Sequence, residues 1–130
     1  MRRPKSLQRM PGAVILLEKN PETKIVAVEP KGVSALHGDG PGIHRIQGIG
    51  DGFIPEVLDT KLITDVVEVS DEDAIETARE LARVQGLLVG VSSGANIWTA
   101  KQMAEKYGKD KVIVTILPDR AERYFSTGLL

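Results

Sequence analysis

An α/β fold, with a layered parallel sheet and flanking helices, is what the 130-residue sequence predicts, and three observations carry it. Short runs of aliphatic residues, several β-branched, each end at proline or at a glycine and serine step. Between them lie stretches with helical spacing of apolar positions, so the second half reads strand, helix, strand, helix, strand, an order that calls for parallel strands and right-handed crossovers. A hydrophobic fraction of 42% with 27% charged residues suits one buried core rather than a disordered chain.

The elements follow in order. Residues 1–12 carry Arg2, Arg3, Lys5 and Arg9, no acid and no apolar period, and read as a loose basic lead closed by Pro11-Gly12. Ala13 to Lys19 is helix-compatible and stops at Asn20-Pro21, because proline disfavours helical geometry in the residue before it. The apolar run inside it, Ala13 to Leu17, is closed by Glu18 and is far too short to span a membrane or form a secretory core, so no targeting segment is expected. Lys24 to Glu29, with Ile25, Val26, Ala27 and Val28 in a row, predicts a strand covered on both faces and ended by Pro30. Lys31 to Pro55 holds seven of the thirteen glycines and no helical period; it predicts a long loop with one short turn near Ser34 to His37.

Asp65 to Val69 predicts a second strand. Ser70 then stands where a helix N-cap belongs, with Asp71, Glu72 and Asp73 suited to the positive end of the helix dipole. Ala74, Ile75, Ala78, Leu81 and Ala82 form the inward stripe of that helix, and Gly86 stops it. Leu87 to Val91 predicts a buried strand, and Ser92-Ser93-Gly94 opens a further helix whose inward face is Ile97, Ala100, Ala104 and Tyr107. Gly108 closes this helix, and the fully apolar run Val112 to Leu117 predicts a last strand ended by Pro118.

Seventeen basic against eighteen acidic residues give a net charge of -1, which makes no global case for nucleic acid or an anionic membrane as partner. The absence of cysteine excludes disulfides, thiolate zinc sites and a cysteine nucleophile within these residues, and fits a reducing, cytoplasmic setting. His37 and His44 stand seven apart with no clustered carboxylates, so no metal site is expected. Spacing assembles no nucleophile, base and orienting acid, and Arg120, Glu122 and Arg123 read as surface charges.

In open parallel sheets ligands bind beyond the carboxyl ends of strands, which directs attention to Pro30 onward, Ser92 to Gly94 and Pro118 to Arg123. Ser92-Ser93-Gly94 sits at a helix N-terminus, where free backbone N–H groups suit a polar or anionic ligand atom. The plainer reading is that one serine caps the helix and Gly94 permits close packing. Gly48-Ile49-Gly50-Asp51-Gly52 could wrap backbone around a ligand or form an ordinary glycine turn; it opens no helix after a strand, so it is not a dinucleotide fingerprint.

Three stretches together resemble one family: Ile46-Gln47-Gly48-Ile49-Gly50-Asp51-Gly52-Phe53-Ile54-Pro55, Gly86-Leu87-Leu88-Val89-Gly90-Val91-Ser92-Ser93-Gly94-Ala95, and Pro118-Asp119-Arg120-Ala121-Glu122-Arg123-Tyr124-Phe125-Ser126-Thr127. In order and spacing they resemble the cysteine synthases, also called O-acetylserine sulfhydrylases, of fold-type II pyridoxal-phosphate enzymes, with the cystathionine β-synthases close by. The resemblance implies that residues 13–130 form the C-terminal part of a tryptophan synthase β-like domain. It implies that the Ser92 hydroxyl hydrogen-bonds the pyridine nitrogen of pyridoxal phosphate, that Gly48, Ile49 and Gly50 border the substrate side, and that Pro118 and Asp119 form the cofactor's environment at a strand end. A hydroxyl partner leaves the ring a weaker electron sink than a carboxylate would, which suits elimination at the β-carbon.

The reaction so implied is β-replacement, with sulfide displacing the acetate of O-acetylserine to give L-cysteine. Complete members of the family imply a homodimer and contact with serine acetyltransferase. The family's Schiff-base lysine sits in a Ser/Thr-x-Lys-Asp-Arg setting that none of the nine lysines here has, including Lys109 and Lys111, so no catalytic residue is assigned. The Gly-Thr-Gly-Gly-Thr phosphate loop is also not among these residues, Met1 to Gly12 standing in its place. The expectation is a chain inactive alone, with a truncated product or a non-catalytic interaction module as the competing readings.

Overall fold

The structure, a computed structural model, describes residues 11–127, so the basic lead lies outside it except for Pro11 and Gly12. Helix α1, Pro11–Lys19, ends where the Asn20 N–H donates to the Leu16 carbonyl at 2.8 Å. The Asn20 side-chain oxygen then accepts from the Glu22 N–H at 3.0 Å and turns the chain over Pro21.

Strands β1, Val26–Pro30, and β2, Asp65–Val69, pair in parallel with Val26 opposite Asp65 and Pro30 opposite Val69. Pro30 offers no N–H and closes β1, while the following Lys31 N–H donates to the Val69 carbonyl at 2.9 Å. Helix α2, Asp71–Glu80, starts as its residues predict: the Ser70 hydroxyl accepts from the Asp73 N–H at 3.0 Å and three acids fill the first turn. Ala74, Ile75 and Ala78 are buried, whereas Leu81 and Ala82 are half-covered in a π-helical turn, Leu81–Gln85. Gly86, at φ 68°, ends it in the left-handed region that glycine occupies without strain.

Helix α3, Val91–Tyr107, packs on α2, and with a short 3₁₀ segment, Ala121–Thr127, encloses the core. That core is Ile46, Val69, Ala74, Ile75, Ala78, Val91, Ala95, Ala121 and Tyr124, with Val28, Ile49, Val67 and Trp98 against it. Full burial of an aliphatic side chain such as Ile46 or Val69 contributes roughly 1.5–3 kcal/mol, so the loop carrying Ile46 is fastened by the same cluster that joins the helices to the sheet. At the opposite end, the Asp65 carboxylate accepts from Tyr107 at 2.7 Å and from Lys106 at 3.0 Å, pinning the end of α3 to the start of β2. The Tyr107 hydrogen bond first, then that of Lys106, holds the Asp65 carboxyl below its ordinary value, and Lys106 is raised in turn by Asp65.

The α/β class and the parallel sheet stand, but two predicted strands do not form in the structure. Leu87 to Val91 is neither a strand nor uniformly buried: Val89 makes one antiparallel bridge with Arg120, Leu87 and Leu88 are about half exposed, and Val91 already belongs to α3. Val112 to Leu117 lies outside any strand, with Val112 89% and Val114 82% exposed. Both segments have strand composition and lack a ladder neighbour among the described residues, and a strand is defined by its neighbour as much as by its residues.

The inward face of α3 also differs from the predicted one. Ala95, Thr99 and Met103 are buried, whereas Ile97 and Ala100 are partly covered and Ala104 is exposed. At the start of the helix small residues are favoured because α2 approaches closely there: a Cβ on Gly94 would stand 2.9 Å from the Ala78 nitrogen. Among the described residues no helix is long and apolar enough to cross a membrane.

Candidate functional site

The carboxyl ends of β1 and β2 open toward the glycine-rich loop, and local chemistry holds that loop in one shape. Glu29, near the end of β1, accepts from the Ser34 hydroxyl at 2.5 Å and from the Leu36 N–H at 3.1 Å, which fixes the predicted short turn, Ala35–His37. His37 bonds Glu68 of β2 at 2.6 Å. His44 braces the next stretch from both ring nitrogens: Nδ1 accepts from the Ile46 N–H at 3.2 Å, so Nε2 carries the proton and donates to the Gly50 carbonyl at 3.1 Å. Both histidines are thus spent on holding the loop.

Gly48, Ile49 and Gly50 are shaped differently from one another. Gly48 and Gly50 take φ of 88° and 72°, while Ile49 turns its side chain onto the core. Gly50 is also close-packed, since a Cβ there would run into the Pro30 ring and stand 2.8 Å from His44 Nε2. The loop backbone is therefore seated directly on the end of β1. Gly48 has open space around it.

Ser92 lies in the first turn of α3, two residues past the N-cap, Gly90. Neither serine caps the helix, because the cap position has no side chain to offer; the second half of the plainer reading holds, since Gly94 does meet α2. Ser93 is fully buried and its hydroxyl makes no hydrogen bond among the described residues. Ser92 is 6% exposed, and no hydrogen bond of its hydroxyl is found among the described residues. A nearly buried hydroxyl with no partner among the described residues, beside the N–H groups of a helix start, is disposed to serve a ligand.

Asp119 and Tyr124 complete the arrangement. The Gly90 N–H donates to the Asp119 carbonyl at 3.3 Å and the Ala121 N–H to the Leu88 carbonyl at 3.1 Å, so the segment from Pro118 runs beside the approach to α3. The Tyr124 hydroxyl donates to Asp119 Oδ2, a hydrogen bond that raises the phenol above its ordinary value, with burial adding to the rise. Asp119 Oδ1 is buried with no partner among the described residues. Gly90 has an unstrained φ of -75°, so its glycine is needed for room: a Cβ there would collide with Asp119 Oδ1 and the Tyr124 ring. Pro118 and Asp119 line an open cleft of about 250 Å³ together with Arg120, Glu122 and Arg123.

The three stretches singled out in the sequence therefore meet through one cluster, with Ile46 and Ile49, Val91 and Ala95, and Ala121 and Tyr124 as their contributions. Sequence reasoning passed over Gly90 and Tyr124. The available signal was a glycine standing where a serine cap would be ordinary.

Comparison with known proteins shows the family to which the chain belongs. The family model described as pyridoxal-phosphate dependent enzyme matches residues 12–119. A cysteine synthase of Staphylococcus aureus is 44% identical over 115 residues, which is 88% of this chain and 37% of the relative. The crystal structure of cysteine synthase from Entamoeba histolytica superposes with a TM-score of 0.87 at 41% identity, over 90% of this chain and 35% of that one. An O-acetylserine dependent cystathionine beta-synthase from Helicobacter pylori superposes with a TM-score of 0.84 at 41% identity, over 90% of this chain and 38% of that one. The chain thus spans a little over a third of the length of these relatives.

Proposed function

We propose, for a chain that belongs to the family of pyridoxal-phosphate dependent enzymes, that it forms the pyridine-side and substrate-loop part of a β-replacement site making L-cysteine from O-acetylserine and sulfide. The observation that carries this reading is the Ser92 hydroxyl: almost buried, with no hydrogen-bond partner among the described residues, in the first turn of α3.

The residues present fit the cofactor on its ring side. Pyridoxal phosphate, when bound, supplies the electron sink that lets a group leave the β-carbon of an amino acid. Ser92 would donate its hydroxyl proton to the ring nitrogen and orient the ring. Gly48 and Gly50 would present backbone, without side-chain bulk, to the substrate. Pro118 and Asp119 would wall the ring at the segment beside α3. One hydrogen bond of net worth about 0.5–1.5 kcal/mol does not hold a cofactor, so the Schiff-base lysine and the phosphate loop are assigned to residues other than these. Residues 13–130 are accordingly the C-terminal part of the enzyme domain, and the homodimer, the serine acetyltransferase contact and a cytoplasmic setting are proposed with the family reading.

The test is complementation. The chain is mixed with pyridoxal phosphate and a separately expressed N-terminal portion of the Staphylococcus aureus relative, and cysteine is assayed from O-acetylserine and sulfide. Cysteine formation, with cofactor affinity that drops in Ser92→Ala, is expected; a mixture that binds no cofactor and makes no cysteine overturns the reading. The likeness to the Helicobacter pylori protein favours one second reading, in which an amino-acid thiol replaces sulfide as donor. Offering L-homocysteine beside sulfide in the same assay separates them. A non-catalytic interaction module would instead unfold cooperatively and leave both assays blank.

A further inference from the structure

We propose that Tyr124 is a positioning residue for Ser92, acting through Asp119 and Gly90. The inference rests on the cofactor reading for its meaning, and on contacts within this chain for its mechanism.

The chain of contacts is continuous. The Tyr124 hydroxyl fixes one oxygen of Asp119, and the other oxygen is buried against Gly90 with no donor of its own. The Asp119 carbonyl accepts from the Gly90 N–H, and the Tyr124 ring covers the same glycine. Gly90 is the N-cap of α3 and its carbonyl accepts from the Gly94 N–H at 3.2 Å, the bond that closes the first turn. Ser92 sits inside that turn. Since Gly90 carries no side chain to hold it, the place of the Ser92 hydroxyl is set by what grips Gly90 from outside, and that is Asp119 locked by Tyr124.

Such a role differs from ordinary packing. Tyr124 belongs to the core, so truncating its ring would loosen the whole chain. Removing the hydroxyl alone leaves the ring in place and releases the carboxylate. Asp119, taken from sequence as a wall of the cofactor, is then a part of the clamp on the helix start.

Amide hydrogen exchange of the full chain, which requires no cofactor, tests the mechanism. In Tyr124→Phe, exchange at Gly94 should rise about tenfold while Ala78 in α2 keeps its protection, the mark of local rather than global opening. Asp119→Ala should reproduce the effect and Asp119→Asn, whose amide oxygen can still accept from Tyr124, should restore protection. These variants repeat the test from the other partner if Tyr124→Phe does not fold. Unchanged exchange at Gly94, or an equal rise at Gly94 and Ala78, overturns the proposal. In the cofactor-binding mixture described above, Tyr124→Phe should weaken pyridoxal phosphate by about tenfold with Ser92 present and have no effect in Ser92→Ala, a coupling that independent sites do not show. Loss of cofactor binding by every mixture counts against the cofactor reading, whereas an unchanged Gly94 counts against the clamp, so the two failures are distinct.

Discussion

Gly94 and Ala78 stand so near that a Cβ added to the glycine would lie 3.0 Å from the alanine Cβ and 2.9 Å from its backbone nitrogen. An alanine at 94 would gain roughly 1 kcal/mol in helix propensity. The crowding opposes it, and overpacking of this kind typically costs about 1–3 kcal/mol and forces neighbouring backbone to shift. Gly94→Ala should therefore lower the urea midpoint of the chain; a raised midpoint would mean that α2 yields easily.

Gly48 and Gly50 separate backbone strain from lack of space. Both have positive φ, so either substitution by alanine carries a cost on the order of 1–2 kcal/mol for the left-handed conformation. Gly50 alone would also drive a methyl group into Pro30 and His44. Gly50→Ala should destabilise clearly more than Gly48→Ala in parallel denaturation curves, and should disturb the His44 ring resonances in NMR spectra. Equal effects would show that the loop is not seated on β1.

Asp65 gives the chain an acid limb of its own. Its carboxyl is held below 3.8 by Tyr107 and Lys106, so the fold favours the charged form. That contribution is present above the unfolded value near 4 and is lost as pH falls through the lower folded value. Thermal midpoints should decline between about pH 5 and pH 2, and the decline should be shallower in Asp65→Asn. The variant should be less stable than wild type at neutral pH and converge on it in acid.

Val114 is 82% exposed in an apolar run with no ladder neighbour among the described residues. A lysine there should alter stability by less than about 0.5 kcal/mol, because little is buried to lose. It should nonetheless reduce light scattering in concentrated solution, since charge on an unpaired extended segment blocks edge-to-edge association. A large stability loss would mean that residue 114 is packed.

Much of the fold was legible because its determinants are local. The Ser70 cap, the acids behind it, the Ala74, Ile75 and Ala78 stripe and the Gly86 stop each act within a few residues, and the structure has them where the spacing puts them. Leu87 to Val91 and Val112 to Leu117 were read by composition alone, yet a ladder is a property of two chains segments side by side. The buried face of α3 was misjudged for a related reason: large apolar residues such as Ile97 attract attention, while closeness to α2 selects Ala95 and Thr99. Ser92 was reached through the company its segment keeps. The bond from Tyr124 to Asp119 is local along the chain but has no spacing signature of its own, and the room that both require at Gly90 depends on a segment distant in sequence, hinted at only by the glycine itself.

The pairing of β1 with β2 also sets an order of events when the chain folds. Ile25 and Thr64, which meet at the start of the ladder, are thirty-nine residues apart, and the segment between them is mostly irregular. Closing such a loop costs entropy before the pairing returns anything, whereas α2 and α3 are near neighbours in sequence and can meet early. The helical pair should thus be protected first in pulse-labelling exchange, with β1 and the glycine loop acquiring protection later. The glycine-rich loop would then be the last part of the molecule to take shape and the first to be lost.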